Sequence, residues 1–200
     1  MSKRQELFNQ AAKNWDKEYN NPKLQTFLER FGPSFGLLAG QDVLDVGTGT
    51  GVLIPFLHKA VGSKGHITAI DYAQGMVDIC KAKCAHLSNV SVMVANAENL
   101  QFPDKSFDAV TCFGLFPHLD NKIATLNQFH RVLKPKGRLI IAHALSSAEV
   151  KKHHQNAPPV IANDVLPNET EMRKLLQQAG FTGTQIVDKH GRYLCISTKP

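Results

Sequence analysis

One stretch in the first quarter of the chain limits the folds that this sequence can adopt. Residues 43–46 (VLDV) are typical of a buried strand, residues 47–51 (GTGTG) bring three glycines into one short loop, and an apolar helical stretch begins at Val52. Glycine has no Cβ, so such a loop can turn tightly and let its backbone approach a ligand closely. A strand, a glycine turn and a helix N-terminus together predict a nucleotide-binding corner of a doubly wound α/β sheet.

The spacing of the glycines distinguishes between kinds of nucleotide site. The loop reads G-x-G-x-G, which lacks the G-x-G-x-x-G dinucleotide fingerprint and the Gly-Lys-Ser/Thr ending of a phosphate-binding loop. Asp45 lies two residues before the first glycine, where its carboxylate would repel a pyrophosphate but could serve a cationic amino-acid ligand. A nicotinamide-dependent oxidoreductase shares the strand, the glycine turn and a later acidic residue, and it is the weaker alternative.

Composition and charge narrow the classes of partner. Two hundred residues with 42% hydrophobic content suit one domain with a proper core. The net charge of +6 comes from scattered lysines, without the basic stripe and interleaved aromatic residues of a nucleic-acid-binding surface. Residues 1–20 lack the apolar core of a signal peptide, and no segment approaches the roughly 20 apolar residues of a membrane span. We therefore expect a cytoplasmic protein with no nucleic-acid partner and no membrane span. We also expect it to be a monomer or a homodimer.

Strand and helix patterns alternate along most of the chain, which predicts a parallel sheet with right-handed crossovers. The predicted strands of this part are 42–46, 66–70, 90–95, 107–113 and 138–142. The predicted helices are 2–31 with a break at Pro22, a short helix closed by Leu37 and Leu38, 52–61, 76–87 and 121–133, and a turn is predicted at 134–137.

The last third of the chain shows a different pattern. Asn168 with Glu171 three residues later predicts the start of a helix, and Gly180 predicts its end. Residues 184–188 and 193–198 then read as two strands joined by a short turn at 189–192, which suits an antiparallel closing hairpin. The predicted fold class is an α/β, doubly wound, Rossmann-like sheet of about seven strands, mostly parallel with an antiparallel C-terminal hairpin strand.

Several further stretches follow the strand ends where a doubly wound sheet binds its ligand. The loop at 47–51 resembles motif I of the class I S-adenosylmethionine (SAM) methyltransferases. Residues 96–103 (NAENLQFP) resemble the Asp-Ala-Glu-x-Leu-Pro-Phe pattern of their small-molecule branch, residues 107–112 (FDAVTC) resemble motif II, and residues 133–139 (LKPKGRL) resemble motif III. The similarity runs in order from about Phe8 to Ala142, and the chain resembles the ubiquinone/menaquinone-biosynthesis branch.

This resemblance implies a set of SAM contacts. Asp71 ends the second strand, where a carboxylate can accept from both hydroxyls of a ribose, unless it only caps the helix that begins near Ala73. Asn96 stands where the family has an acid that accepts from the adenine amino group, and an amide oxygen can accept there too. Tyr72 either covers one adenine face or is a surface tyrosine at a helix start. The predicted cofactor-binding residues are Asp45, Gly47, Thr48, Gly49, Gly51, Asp71, Tyr72, Met76, Asn96, Ala97, Glu98 and Phe113.

The resemblance also implies a division of the single domain. Residues 1–36 would form an N-terminal helical lid over the cofactor, or else a helix that merely packs at the sheet edge. Residues 37–143 would be the SAM-binding core, residues 144–167 an insert near the substrate site, and residues 168–200 the final helix and β-hairpin.

The methyl acceptor is predicted to be a small molecule. Residues 113–119 (FGLFPHL) resemble the Phe/Ala-x-x-His-Leu run of small-molecule enzymes and lack the Asn/Asp-Pro-Pro-Tyr/Phe motif of amino-directed nucleic-acid methyltransferases. The expected reaction is an in-line displacement in which an O, N, S or C atom of the acceptor attacks the sulfonium methyl group. A catalytically idle SAM-binding partner subunit stays an alternative. An arsenite methyltransferase is a weaker one, because the apolar neighbours of Cys80 and Cys84 predict that both thiols face the core or a helix flank.

The nine histidines are unevenly placed. His118 follows the fourth strand, His143 follows the fifth, and His153 and His154 lie in the insert, so all four could face one cavity beside the methyl donor, unless the last two are simply solvated. An imidazole there could take a proton from the acceptor, or several could hold a transition metal. We predict His118 and His143 as catalytic residues, and no metal site. The predicted substrate contacts are Trp15, Tyr19, Phe116, His118 and His154.

Overall fold

A computed structural model of the 200-residue chain describes residues 2–200. The chain divides into two compact units, one ending at Ala97 and the other beginning at Glu98. The single domain predicted from the sequence stays a prediction. Within residues 2–200, no helix is both long and apolar enough to cross a membrane.

The first unit contains three parallel strands with helices before and between them. The strands lie in the order β3-β2-β1, and β2 pairs in parallel with both neighbours. Its elements in chain order are α1 (Lys3–Tyr19), α2 (Pro22–Phe31), a short 3₁₀ helix (Gly32–Phe35), β1 (Asp42–Val46), α3 (Ile54–Val61), β2 (His66–Asp71), α4 (Gln74–Cys84) and β3 (Val90–Val94).

The second unit contains four strands, of which the last two form the hairpin predicted from the sequence. The strands lie in the order β4-β5-β7-β6, where β4 and β5 are parallel and β7 is antiparallel to both β5 and β6. Its elements are β4 (Phe107–Phe113), a 3₁₀ turn (Phe116–His118), α5 (Lys122–Val132), β5 (Leu133–His143), α6 (Ser147–His154), α7 (Glu169–Gln178), β6 (Thr182–Lys189) and β7 (Arg192–Thr198). The predicted fold class is therefore confirmed.

Apolar runs explain why these segments are strands. Val43 and Leu44 in β1, and Leu139, Ile140 and Ile141 in β5, are all buried. Successive residues of a strand point to opposite faces, so a run buried at every position indicates a strand that is covered on both faces. The polar groups that follow these strands are consequently held on rigid elements.

Several local predictions are wrong in detail. Residues 134–137 do not form a separate turn, because Leu133 already pairs with Phe107 and the four residues bulge within β5 before Arg138 pairs with Ala109. Lys136 accordingly has a positive φ of 64°. The short helix before β1 ends at Phe35 and does not reach Leu37 and Leu38, because Gly36 adopts a left-handed conformation.

The insert at 144–167 contains a helix that the sequence patterns did not indicate. Ser146 and Glu149 form a capping box at the start of α6, in which the serine hydroxyl accepts from the Glu149 N–H and the glutamate accepts from the Ser146 N–H. Glu149 also accepts from the Gly191 N–H, so α6 is fastened to the turn between β6 and β7. That turn is shorter than predicted, since Lys189 already pairs with Arg192.

Candidate functional site

The glycine loop after β1 is fastened to the end of β2. The N–H groups of Gly47 and Thr48 both donate to the carbonyl of Ile70, at 2.8 and 2.9 Å. Gly47, Gly49 and Gly51 have φ angles of 72°, 54° and 86°, a region that side-chain-bearing residues rarely adopt. The three glycines are therefore required by the path of the loop.

Asp71 connects the glycine loop with the start of α4. Its Oδ2 accepts from the Gly49 N–H at 3.0 Å, and its Oδ1 accepts from the Ala73 N–H at 2.9 Å. Burial raises the pKa of this carboxyl, although the backbone donors act in the opposite direction. A carboxylate oxygen has two acceptor positions, so these bonds leave acceptor capacity for a ligand hydroxyl. The bond from the Ala73 N–H is the one expected if Asp71 caps the helix. The contact of Asp71 with a ribose stays a prediction.

The cysteines of α4 lie in the core beneath the loop. All four cysteines of the chain are buried, and burial raises the pKa of the Cys80 thiol to about 12. A thiol that stays protonated is a poor nucleophile and a poor metal ligand. The prediction that Cys80 and Cys84 face the core is confirmed.

Helix α1 contacts both the glycine loop and the start of α4. The Asp16 carboxylate accepts from the Thr50 hydroxyl at 2.5 Å and from the Lys83 ammonium at 2.8 Å. Nearer the N-terminus of the same helix, Asn9 Oδ1 accepts from the Gly75 N–H at 2.9 Å. The helix thus lies against the elements that would hold a nucleotide, as a lid would.

Aromatic side chains of α1 pack on the same region. Phe8 lies 5.8 Å from Trp15 and 6.3 Å from Tyr72 between ring centroids, and Trp15 lies 4.4 Å from Tyr19. Tyr72 is half-buried and packs against α1, and its contact with adenine stays a prediction. Met76 is buried together with Ala12 in the apolar cluster against which Phe8, Trp15 and Tyr72 pack.

The remaining predicted cofactor residues lie at three places. Asp45 is 1% exposed at the end of β1, Ala97 is buried and Asn96 is exposed. Glu98 accepts from the Asn121 N–H at 2.9 Å and so supports the loop before α5. Phe113, at the end of β4, is half-buried. Their contacts with SAM stay predictions.

Three of the predicted histidines converge in the second unit. The His118 and His154 rings lie 4.9 Å apart between centroids. His118 Nδ1 is 2.7 Å from Asp164 Oδ2, with both side chains close to nine-tenths buried, and His154 Nδ1 is 2.6 Å from the Asp164 backbone oxygen. We refer to His118, His143, His154 and Asp164 as the histidine cluster. Asp164 was missed from the sequence, because no motif or periodicity marks it.

His143 interacts electrostatically with the other two histidines of the cluster. It is 7% exposed, and burial, followed by the nearby His118 and His154, lowers its pKa to about 3. At neutral pH it is therefore an uncharged imidazole and a weak base. Its Nε2 has no hydrogen-bond partner among residues 2–200. Burial also lowers the pKa of His154.

Other predicted residues lie outside this cluster. His153 is exposed, as the solvated alternative requires, and Phe116 is fully buried. The substrate roles of Trp15, Tyr19 and Phe116 stay predictions. Within residues 2–200, no group of three or more His, Cys, Asp or Glu side chains could hold a metal ion.

Comparison with known proteins identifies the family. A family model described as "Methyltransferase domain" matches residues 43–137. The chain is 30% identical to the Ubiquinone/menaquinone biosynthesis C-methyltransferase UbiE of Vibrio vulnificus over 181 residues, covering 78% of this chain and 70% of that protein. It is 41% identical to the Demethylmenaquinone methyltransferase of Staphylococcus epidermidis over 102 residues, covering 50% of this chain and only 42% of that protein's length.

A solved structure gives the same result over nearly the whole chain. The SAM-dependent methyltransferase of Aquifex aeolicus superposes with a TM-score of 0.76 at 29% identity, covering 92% of this chain and 96% of that one. The chain therefore belongs to the family of SAM-dependent methyltransferases that includes the ubiquinone/menaquinone biosynthesis C-methyltransferases.

Proposed function

We propose that the chain binds SAM at the glycine loop and transfers its methyl group to a reduced quinone. The observation that carries the cofactor assignment is the glycine loop fastened to Asp71 through the Gly49 N–H. A Cβ at Gly49 would meet Trp15 Nε1 at 3.8 Å, an ordinary van der Waals distance, so the Trp15 side chain of α1 lies beside this part of the loop. Asp71 would hold the ribose hydroxyls and Asn96 the adenine amino group.

Asp45 favours SAM over other nucleotides. Its buried carboxylate at the end of β1 suits the cationic amino-acid part of SAM and opposes the anionic phosphates of NAD or ATP. Titration calorimetry with S-adenosylhomocysteine, NAD and ATP tests this assignment. We expect saturable heat with S-adenosylhomocysteine alone, and heat with NAD instead would support the oxidoreductase alternative.

The quinone class of acceptor is inferred from the two named relatives and from chemistry. When bound, SAM supplies a methyl group on a sulfonium centre. A carbon atom of the acceptor would form a bond to this methyl group while the sulfur–methyl bond breaks and S-adenosylhomocysteine leaves. An oxidised quinone ring is electron-poor and cannot act as the nucleophile, whereas a quinol that loses a hydroxyl proton places electron density on its ring carbons. The reduced form is therefore the acceptor, and the net reaction releases one proton.

The histidine cluster supplies the group that takes the hydroxyl proton. His118 Nδ1 faces the Asp164 carboxylate, so His118 Nε2 is the nitrogen that accepts the proton from the quinol. A positioned base of this kind contributes roughly 10²–10⁴ in rate. His143 is too weak a base for this role at neutral pH, and we assign it a hydrogen bond from its Nε2 to an oxygen of the acceptor.

A methyl-transfer screen tests the acceptor. The protein would be incubated with tritium-methyl SAM and with quinols, phenols, amines and thiols, each quinol being paired with its oxidised quinone. We expect label in the quinols alone. Label in amines or thiols would refute the acceptor class, and cofactor binding without transfer to any acceptor would support the idle partner subunit.

Three further proposals complete the account. We propose that residues 1–36 act as a lid over the cofactor, which the bonds from Asp16 and Asn9 support. We also propose a cytoplasmic location, which cell fractionation would test, and a monomeric or homodimeric state, which sedimentation analysis would test.

A further inference from the structure

Asp164 contacts two histidines through two different groups. Its side-chain Oδ2 lies 2.7 Å from Nδ1 of His118, and its backbone oxygen lies 2.6 Å from Nδ1 of His154. Asp164 belongs to the segment 155–168 between α6 and α7, which has turns at 155–156 and 159–163 and no regular secondary structure from 164 to 168. We propose that Asp164 is a positioning residue that holds both imidazoles in the tautomer whose Nε2 carries the lone pair. The proposal deepens the proposed function and rests on it for its catalytic consequence.

The hydrogen-bonding chemistry determines the tautomers. A carbonyl oxygen can only accept, so His154 Nδ1 must carry the proton of that hydrogen bond. An ionised carboxylate likewise only accepts, and the short distance from His118 Nδ1 is typical of a charge-assisted bond. When either ring is neutral, its single N–H is therefore at Nδ1 and its Nε2 is an acceptor.

The tautomer decides whether His118 can act as a base. A neutral imidazole with its proton on Nε2 presents a donor to the acceptor hydroxyl and cannot take its proton. Loss of the Asp164 carboxylate would let His118 populate that tautomer, while the ring could keep its place in the cluster. The effect should therefore fall on the rate of the chemical step more than on substrate binding.

The surroundings of the cluster oppose a positive charge on His143 and on His154. Burial, followed by the nearby His118 and His154, lowers the pKa of His143, whose ring also lies 6.5 Å from the Tyr193 ring between centroids. Burial lowers the pKa of His154, the hydrogen bond to the Asp164 carbonyl raises it, and the nearby His118 lowers it further. The carboxylate of the cluster is that of Asp164, and its Oδ2 lies beside Nδ1 of His118.

The chain contains a matched control pair. His190 Nδ1 lies 2.7 Å from Glu149 Oε1, the same atom type and the same distance as in the His118–Asp164 pair, but the His190 side chain is 95% exposed. Water can replace the carboxylate at such a site, so the pair should neither fix a tautomer nor affect catalysis. His190→Gln is therefore the control variant.

Nitrogen-15 NMR of the imidazole rings tests the proposal on the full chain without cofactor. The signals would be assigned by their loss in His118→Gln and His154→Gln. In the wild-type protein at a pH where both rings are neutral, we expect Nε2 shifts of an unprotonated nitrogen for both residues. A protonated Nε2 on His118 in the wild-type protein would overturn the proposal without the need of any Asp164 variant.

Variants then connect the tautomer with the rate. In Asp164→Asn we expect the His118 spectrum to show a mixture of tautomers and kcat to fall by about 10²–10⁴, with KM changed less than about threefold. Asp164→Glu, which keeps the charge, should recover part of kcat, and His190→Gln should match the wild type. An unaltered His118 tautomer and kcat in folded Asp164→Asn would overturn the proposal. Absence of methyl transfer in the wild type would count against the proposed function alone, since the spectra are recorded without SAM.

Discussion

Substitution of Gly51 by alanine should destabilise the first unit through one identifiable contact. A Cβ at this position would lie 2.8 Å from Cys80 Sγ and 3.5 Å from Ile54 Cγ1, on a backbone with φ of +86°. Cys80 and Ile54 are both fully buried, so neither side chain can move out into solvent. The added methyl group must therefore distort the loop or displace α4.

The size of the effect follows from two contributions. Holding an alanine in the left-handed region costs about 1–2 kcal/mol, and forcing an extra methyl group into a packed core costs about 1–3 kcal/mol. The free energy of unfolding should thus fall by about 2–5 kcal/mol. For a chain of this size, each kcal/mol corresponds to a fall in Tm of roughly 2–4 °C.

Urea denaturation followed by circular dichroism measures this change, and two controls separate its causes. Gly49→Ala has a φ of +54° and a Cβ whose nearest neighbour, Trp15 Nε1, is 3.8 Å away, so only the backbone contribution of about 1–2 kcal/mol should appear. Cys80→Ala alone should cost about 1 kcal/mol through lost burial. Combined with Gly51→Ala, it should restore about 1–3 kcal/mol relative to the sum of the single effects. Additive effects of Gly51→Ala and Cys80→Ala would refute the steric reasoning.

Three other changes have defined outcomes. Asp71→Asn should weaken S-adenosylhomocysteine binding about ten- to a hundredfold in calorimetry, because a charge-assisted bond to a ribose hydroxyl is lost; an unchanged Kd would mean that Asp71 only supports the Gly49 loop. Burial lowers the pKa of His143 from 6.5, its value in the unfolded chain, to about 3 in the folded protein. The unfolded chain therefore binds more protons between these pH values, so the free energy of unfolding should fall as the pH falls from about 6.5 towards 3, by up to ~1.4 kcal/mol per pH unit. His143→Gln should flatten this dependence in urea titrations at several pH values, and an equal slope in both proteins would contradict the burial argument. Asn168→Ala removes the side-chain acceptor of the α7 capping box and should lower the free energy of unfolding by about 1 kcal/mol, whereas Glu169→Ala, outside the box, should cost less.

The strands could be predicted well because their signals are local. Both β1 and β4 have the predicted bounds, since each is an apolar run bordered by residues that cannot continue a buried strand. The segment 134–137 shows the limit of such reasoning, because its Lys-Pro-Lys-Gly composition favours a turn in isolation. Pairing with β4 on both sides of the segment makes it a bulge, and that pairing depends on contacts distant in sequence.

The sequence predicted the site residues that lie at or just after strand ends, but it did not predict the site residue that lies in the loop between α6 and α7. The approach of His118 to His143 follows from two parallel neighbouring strands ending at the same edge. Asp164 could not be found, because the segment 155–168 has no hydrophobic period to place it. Helix α6 had a usable signal in the Ser146-x-x-Glu149 spacing, but its few apolar residues hid the helical pattern.

Transfer of a deuterated methyl group to a reduced quinone tests the central claim most directly. The protein would be incubated with methyl-deuterated SAM and a reduced naphthoquinone that lacks its ring methyl group, and the product would be analysed by mass spectrometry after reoxidation. We predict that one ring hydrogen is replaced by one deuterated methyl group on carbon, in the wild type and not in His118→Ala. A product methylated on oxygen, or equal yields from the two proteins, would contradict the account.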